Sequence, residues 1–220
     1  MLFDFGGTLD ADGVPWKERF WHLVREAGQD IAPEAFDRAF YAADDALVGA
    51  IPTDLPFRET VMRLARGVGD GLGLRSAALV EIISRRFLET ARARLATSAA
   101  LLGLLGRRYR LGIVSNFYGN LAAVCQEAGL SPFLTVLVDS TQAGCTKPDP
   151  RIFRAALTAL QTDPAQAVFV GDSLPRDMAG ARGVGMPHIW LRPEGAQGAE
   201  PCCPGDRVIR TLHALKDLLL

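Results

Sequence analysis

Five short, nearly unbroken apolar runs punctuate the chain: MLFDF (1–5), LGIVSN (111–116), TVLVDS (135–140), AVFVGD (167–172) and HIWLR (188–192). Runs rich in Val, Ile, Leu and Phe without polar alternation predict strands buried on both faces, as in a parallel sheet. Between the later runs the apolar positions recur at helical spacing. NLAAVCQEAGL (120–130) contains a glycine suited to a C-terminal cap, DPRIFRAALTAL (149–160) places Pro150 at a first helical turn, and LHALKDLLL (212–220) predicts a closing helix. Strands alternating with helices predict an α/β fold with a Rossmann-like, doubly wound parallel sheet.

Residues 14–97 carry only the helical pattern. WKERFWHLVREAG, PEAFDRAFYAADDALVGA, FRETVMRLARGVG and RSAALVEIISRRFLETARARLA follow one another with no strand run between them. The expected organisation is therefore an α/β core made of 1–13 and 98–220, with an all-helical domain inserted at 14–97. The glycine-rich GVGDGLGLR (67–75) follows no strand and misses the G-x-G-x-x-G spacing, so it is expected to be a turn within the insertion and not a nucleotide loop. RPEGAQGAEPCCPGD (192–206) has the composition of a loop.

Composition narrows the class. Of the 220 residues 49% are hydrophobic, enough for a sizeable core, and the formal net charge of −1 gives no reason to expect nucleic acid or an anionic membrane as partner. Asp4 interrupts the apolar start, so no signal peptide is expected, and no apolar run is long enough to span a bilayer. Cys125, Cys145, Cys202 and Cys203 form no C-x-x-C pair; they read as free thiols in a reducing cytoplasm, with no zinc site. Only three residues precede Asp4, so the first strand is either short or begins upstream of Met1.

The polar residues that end the apolar runs carry the candidate chemistry. Asp4 closes the first, with Thr8 beyond it; Ser115 and Asn116 close the second; Lys147 precedes a helix; Asp172 closes the fourth, with Asp177 shortly after. In an open parallel sheet the C-terminal strand ends share one edge, and ligands bind there. A carboxylate, hydroxyls, an ammonium and an acidic pair on one edge suit phosphoryl transfer: one carboxylate attacks phosphorus, polar groups hold the phosphate oxygens, and acids hold a magnesium ion.

Four segments, DFGGT, VSN, TKPDP and GDSLPRD, occur in that order at strand ends. With the helical insertion after the first, the whole chain resembles the haloacid dehalogenase-like hydrolase superfamily, mostly phosphatases that work through an aspartyl-phosphate. The resemblance implies that Asp4 is the nucleophile, that Thr8 and Ser115, with Asn116 beside them, bind the phosphate, and that Lys147 orients and neutralises it. It also implies a Mg2+ ion held by Asp4, the Gly6 carbonyl, Asp172 and Asp177. The insertion sits where the family places a cap that closes over the site and selects a small phosphorylated molecule; Trp16, Lys17, Arg19, Phe20 and Arg58 are the candidates to reach in.

The chain departs from the family at Gly6. Most family phosphatases read D-x-D-x-T, and the second aspartate is the general acid and base. DADG (10–13) offers a superficial substitute, but Val14 stands where the motif needs threonine and no strand leads into Asp10. Asp10 is expected to brace the turn leaving the strand, and Asp12-Gly13 to form a turn. Losing general acid–base help costs roughly 10²–10⁴ in rate. Three readings stay open: a phosphatase that favours good leaving groups or recruits another acid, from Asp10, Asp12 or the cap; a phosphonatase-like or dehalogenase-like C–P or C–halogen hydrolase; or a non-catalytic member that binds a phosphorylated ligand or a protein. The acidic pair Asp172 and Asp177 favours a metal and disfavours dehalogenation, and Lys17 is a poor match for a Schiff-base lysine.

Overall fold

The structure, a computed structural model, describes residues 1–195 and 207–220. The five apolar runs form strands β1 (Leu2–Phe3), β2 (Gly112–Ser115), β3 (Val136–Asp139), β4 (Phe169–Gly171) and β5 (His188–Leu191). A sixth strand, β6 (Arg207–Ile209), was not foreseen; it has three residues, two of them exposed, and so lacks an apolar run. All neighbours pair in parallel in the order β3-β2-β1-β4-β5-β6. The doubly wound α/β sheet expected from the alternation is therefore present, with the two-residue β1 at its centre.

The central strands β1, β2 and β4 are buried on both faces, as their unbroken apolar runs require. Leu2, Val114, Phe169 and Trp190 point into one core with the helix Pro150–Ala159, while Phe3, Ile113, Val170 and Ile189 point into the other. Adjacent strand residues thus enter opposite cores, the period-2 geometry of a strand. That helix starts as expected: Pro150 occupies the first turn and the Asp149 carboxylate accepts from the Arg151 backbone N–H at 2.8 Å. The closing segment is a 3₁₀ turn, Leu212–Ala214, running into a short helix, Leu215–Leu219.

Between β1 and β2 lie four helices and no strand: α1 (Trp16–Glu26), α2 (Pro33–Asp45), α3 (Phe57–Gly71) and α4 (Ala77–Leu105). The last begins at an N-cap, Ser76, whose Oγ accepts from Leu79 N at 3.2 Å, and runs unbroken through 97/98, where the sequence suggested a boundary. At 29 residues it is about 44 Å long, enough to belong to both the helical layer and the flank of the sheet. No helix among the described residues is long and apolar enough to cross a membrane.

The glycine-rich stretch corrects an expectation. Gly67, Gly69 and Gly71 are not in a turn but inside α3. A Cβ at Gly67 or Gly71 would lie 2.8 or 2.9 Å from the Cβ of Ala43 or Ala39 on α2, and one at Gly69 would lie 2.8 Å from Val80 on α4. These glycines let three helices approach closely; only Gly73, beyond the helix, turns left-handed. Of the expected loop 192–206, residues 196–206, and with them Cys202 and Cys203, lie outside the described residues. Cys125 and Cys145 are free.

Candidate active site

The strand order reverses between β1 and β4, and the crevice at such a point opens at the C-terminal strand ends. Register fixes what meets there. Phe3 pairs with Ile113 and with Val170, so Asp4, one residue on, stands level with the ends of β2 and β4. Asp4 is 6% exposed. Its Oδ1 accepts from Ser115 Oγ at 2.8 Å and from Lys147 Nζ at 2.6 Å, and its Oδ2 has no hydrogen bond among the described residues. One oxygen is thus held and the other left free.

Lys147 Nζ also donates to Asp177 Oδ1 at 2.6 Å, so one buried ammonium bridges two buried carboxylates. Burial alone would lower the Lys147 ammonium, yet the charges of Asp177 and then Asp4 hold it above the ordinary lysine value. Asn116 holds the Lys147 main chain: its Oδ1 accepts from Lys147 N at 2.7 Å and its Nδ2 donates to Lys147 O at 3.2 Å. The side-chain amide expected beside the phosphate is therefore committed to positioning the lysine.

On the other flank Thr8 Oγ1 donates to Asp172 Oδ1 at 2.8 Å, and Asp177 Oδ2 accepts from Ser173 N at 3.0 Å. Asp4, Asp172 and Asp177 each place a carboxylate oxygen within 4.8 Å of the others. Three carboxylates face one ammonium, and burial, followed by the charges of Asp4 and Asp177, pushes the Asp172 carboxyl well above the usual carboxylate range. The uncompensated negative charge and the all-oxygen donors suit a hard divalent cation.

Two glycines make this packing feasible. Gly7 has φ +93°, and a Cβ there would lie 2.6 Å from Asp172 Oδ2 and 2.9 Å from its Cγ. A Cβ on Gly171 would collide with the Asp177 carboxylate. The Gly7→Ala variant is expected to lose about 1–3 kcal/mol, read as a shifted urea midpoint, because it adds left-handed strain to a clash with the half-buried Asp172 carboxylate. An unchanged midpoint would show that the loop and Asp172 yield freely.

Gly6 is different: its φ of −76° is open to any residue. What covers it is Trp16, whose indole Nε1 would lie 3.4 Å from a Cβ at Gly6. Any longer side chain there must turn away or displace the ring. That ring is packed edge-on to Phe87 at 5.1 Å and Phe117 at 5.9 Å between ring centres. Its Nε1 donates to Asp10 Oδ2 at 2.7 Å. Asp10 braces the turn as expected: Oδ1 accepts from Gly7 N at 2.8 Å, and Oδ2 also accepts from Arg19 Nη1 at 2.7 Å. Asp12 turns elsewhere, accepting from Leu212 N at 2.6 Å.

Of the five residues expected to reach in from the helices, only Trp16 and Arg19 contact the loop after β1. Phe20 is fully buried and stacks on Phe87 at 4.6 Å, Lys17 pairs with Asp37 at 2.9 Å, and Arg58 is exposed on α3. The chain gives no hint of the Gly7–Asp172 contact beyond a second glycine after the strand, and none of the Asn116–Lys147 clamp.

A sequence profile described as haloacid dehalogenase-like hydrolase matches residues 1–185. The chain is 35% identical over 208 residues to a phosphoserine phosphatase of Thermus thermophilus, covering 90% of this chain and 77% of that protein. It is 42% identical over 106 residues to haloacid dehalogenase-like hydrolase domain-containing protein 3 of Bos taurus, covering 48% of this chain and only 40% of that relative's length. The magnesium-bound HAD-hydrolase YfnB of Bacillus subtilis superposes with a TM-score of 0.62 at 22% identity, covering 99% of this chain and 96% of that one, a likeness of fold. With the four strand-end segments converging on one crevice and the profile running through all of them, the chain belongs to the haloacid dehalogenase-like hydrolase family.

Proposed function

We propose that the chain is a magnesium-dependent hydrolase of a small phosphorylated metabolite, acting in the cytoplasm through a phosphoryl group carried on Asp4. One observation carries the reading: Asp4 has one oxygen fixed by Ser115 and Lys147 and the other free, inside a cluster of acids. The relative named phosphoserine phosphatase, aligned over nine-tenths of the chain, supports the substrate class.

In this reading Asp4 Oδ2 attacks phosphorus and the leaving oxygen departs with the bonding pair. The Thr8 and Ser115 hydroxyls and the Lys147 ammonium hold the phosphoryl oxygens, and Asn116 keeps Lys147 in place. Asp4, Asp172 and the Gly6 carbonyl, with Asp177 beside them, would hold Mg2+, which when bound screens the repulsion between carboxylate and phosphate. The helices of 14–97 serve as a cap that shields the site from water and shapes the substrate pocket, with Trp16 at its inner surface. The test is phosphate release from a broad panel of phosphorylated metabolites, with magnesium and with chelator. Release that needs magnesium is expected from some members. Release that survives chelation would remove the metal from the reading, and no release from any member would favour a binding protein.

A further inference from the structure

Hydrolysis through Asp4 needs a proton moved twice. When Oδ2 attacks, the bond from phosphorus to the leaving oxygen breaks, and that oxygen must be protonated or be stable as an anion. When water then attacks phosphorus, the P–Oδ2 bond breaks and returns its pair to Asp4, and a proton must leave the water.

Among the described residues, the polar groups that the loop after β1 and the strand ends place around Asp4 are committed to other partners. Gly6 has no side chain, and the Trp16 indole packs over it with its N–H given to Asp10. Both oxygens of the fully buried Asp10 are taken, by Gly7 N, Trp16 and Arg19. Asp12 is bound to Leu212 N and lies 3.6 Å from Arg94. The Thr8 and Ser115 protons are donated to Asp172 and Asp4. Lys147 Nζ is engaged by Asp4 Oδ1 and Asp177 Oδ1, each at 2.6 Å, and Asp172 and Asp177 belong to the cation site of the reading above.

We infer, resting on that reading, that the chain takes its phosphoryl group from donors whose leaving group is stable as an anion, acyl or aryl phosphates, and passes it to water slowly, so that phosphorylated Asp4 accumulates during turnover. The absent side chain bears on both steps. A stable leaving anion relieves the first step alone; in the second, water must surrender its proton to bulk solvent without a base beside it. Trp16 adds to the lack, since its indole would already touch a Cβ at position 6, Nε1 lying 3.4 Å away, and a longer side chain there would have to turn from the ring.

The experiment is rapid-quench mixing of the full chain with 4-nitrophenyl phosphate and magnesium. A burst of about one nitrophenolate per site is expected, then a steady phase slower by roughly 10²–10⁴, with phosphate found on the peptide containing Asp4 after acid quench. An alkyl phosphate should give no burst, and Gly6→Asp combined with Trp16→Ala, which clears the ring, should speed the steady phase. If that double variant does not fold, the wild-type burst and phosphopeptide decide alone. Linear release without a phosphopeptide, still lost in Asp4→Asn, would overturn accumulation and leave the phosphatase reading standing. An equal burst from the alkyl phosphate would overturn the leaving-group requirement. No release from the wild type would overturn both the inference and the reading beneath it.

Discussion

Asp4→Asn is expected to lower phosphate release by about 10⁴-fold or more while leaving the protein at least as stable as the wild type. The amide cannot act as the attacking carboxylate, but its oxygen can still accept from Ser115 and Lys147, as Asp4 Oδ1 does at 2.8 and 2.6 Å. What disappears is one of three negative charges facing a single ammonium; burial first, and this crowding after it, raises Asp172 and Asp177. Relieving like-charge repulsion in a buried site is worth about 1 kcal/mol here, in favour of the folded state. Thermal unfolding without metal should therefore shift up or stay level. Added magnesium should stabilise the wild type more than the variant, because a ligand that binds only the native state adds stability in proportion to its affinity. Retained activity would remove Asp4 as nucleophile. A marked loss of stability would show that Lys147 depends on the full charge of Asp4.

The residues were readable from the sequence where a single property decided the outcome. Unbroken apolar runs fixed five strands because only doubly buried strands tolerate them, and the order of polar strand ends placed Asp4, Ser115, Lys147, Asp172 and Asp177 at one crevice. Where two properties competed, the sequence could not arbitrate. Glycines at 67, 69 and 71 signal a turn by conformational freedom but serve helix contact by lack of a Cβ, and the second use won because Ala39, Ala43 and Val80 lie opposite them. Strand β6 is short and mostly exposed, so its pairing with β5 comes from position and not pattern. Asn116 looks like a ligand group by type; only the fold puts the Lys147 backbone within its reach. Asp10 was legible as a brace, but not its partners, since nothing in the spacing says that Trp16 and Arg19 of α1 turn back onto it.

That brace gives the second large effect. Arg19→Met is expected to cost about 3–5 kcal/mol of folding free energy at neutral pH, the range for leaving one partner of a buried ion pair alone. Asp10 is fully buried and the Arg19 side chain is 10% exposed, with the charges 2.7 Å apart, so solvent screens the pair little. Methionine keeps the aliphatic packing on Phe87, over whose ring the guanidinium sits at 3.7 Å, but it loses the ties to Phe87 O at 3.0 Å and Thr90 Oγ1 at 3.1 Å on α4. Burial already raises the Asp10 carboxyl above its ordinary value, and the Arg19 charge is the chief influence opposing that rise. A carboxyl raised in the folded state binds its proton more tightly there than in the unfolded chain. Its contribution is therefore most favourable below the unfolded value and is lost as pH rises through the folded one. Removing Arg19 raises the folded value further, so the variant should approach the wild type in mildly acidic urea melts and fall furthest behind at neutral pH. A deficit of the same size at both pH values would assign the effect to lost packing and hydrogen bonds and not to the stranded charge. Because Asp10 holds Gly7 N, and Gly7 backs directly onto Asp172, the same variant should also weaken magnesium-dependent stabilisation, tying the α1–α4 clasp to the geometry of the acidic cluster.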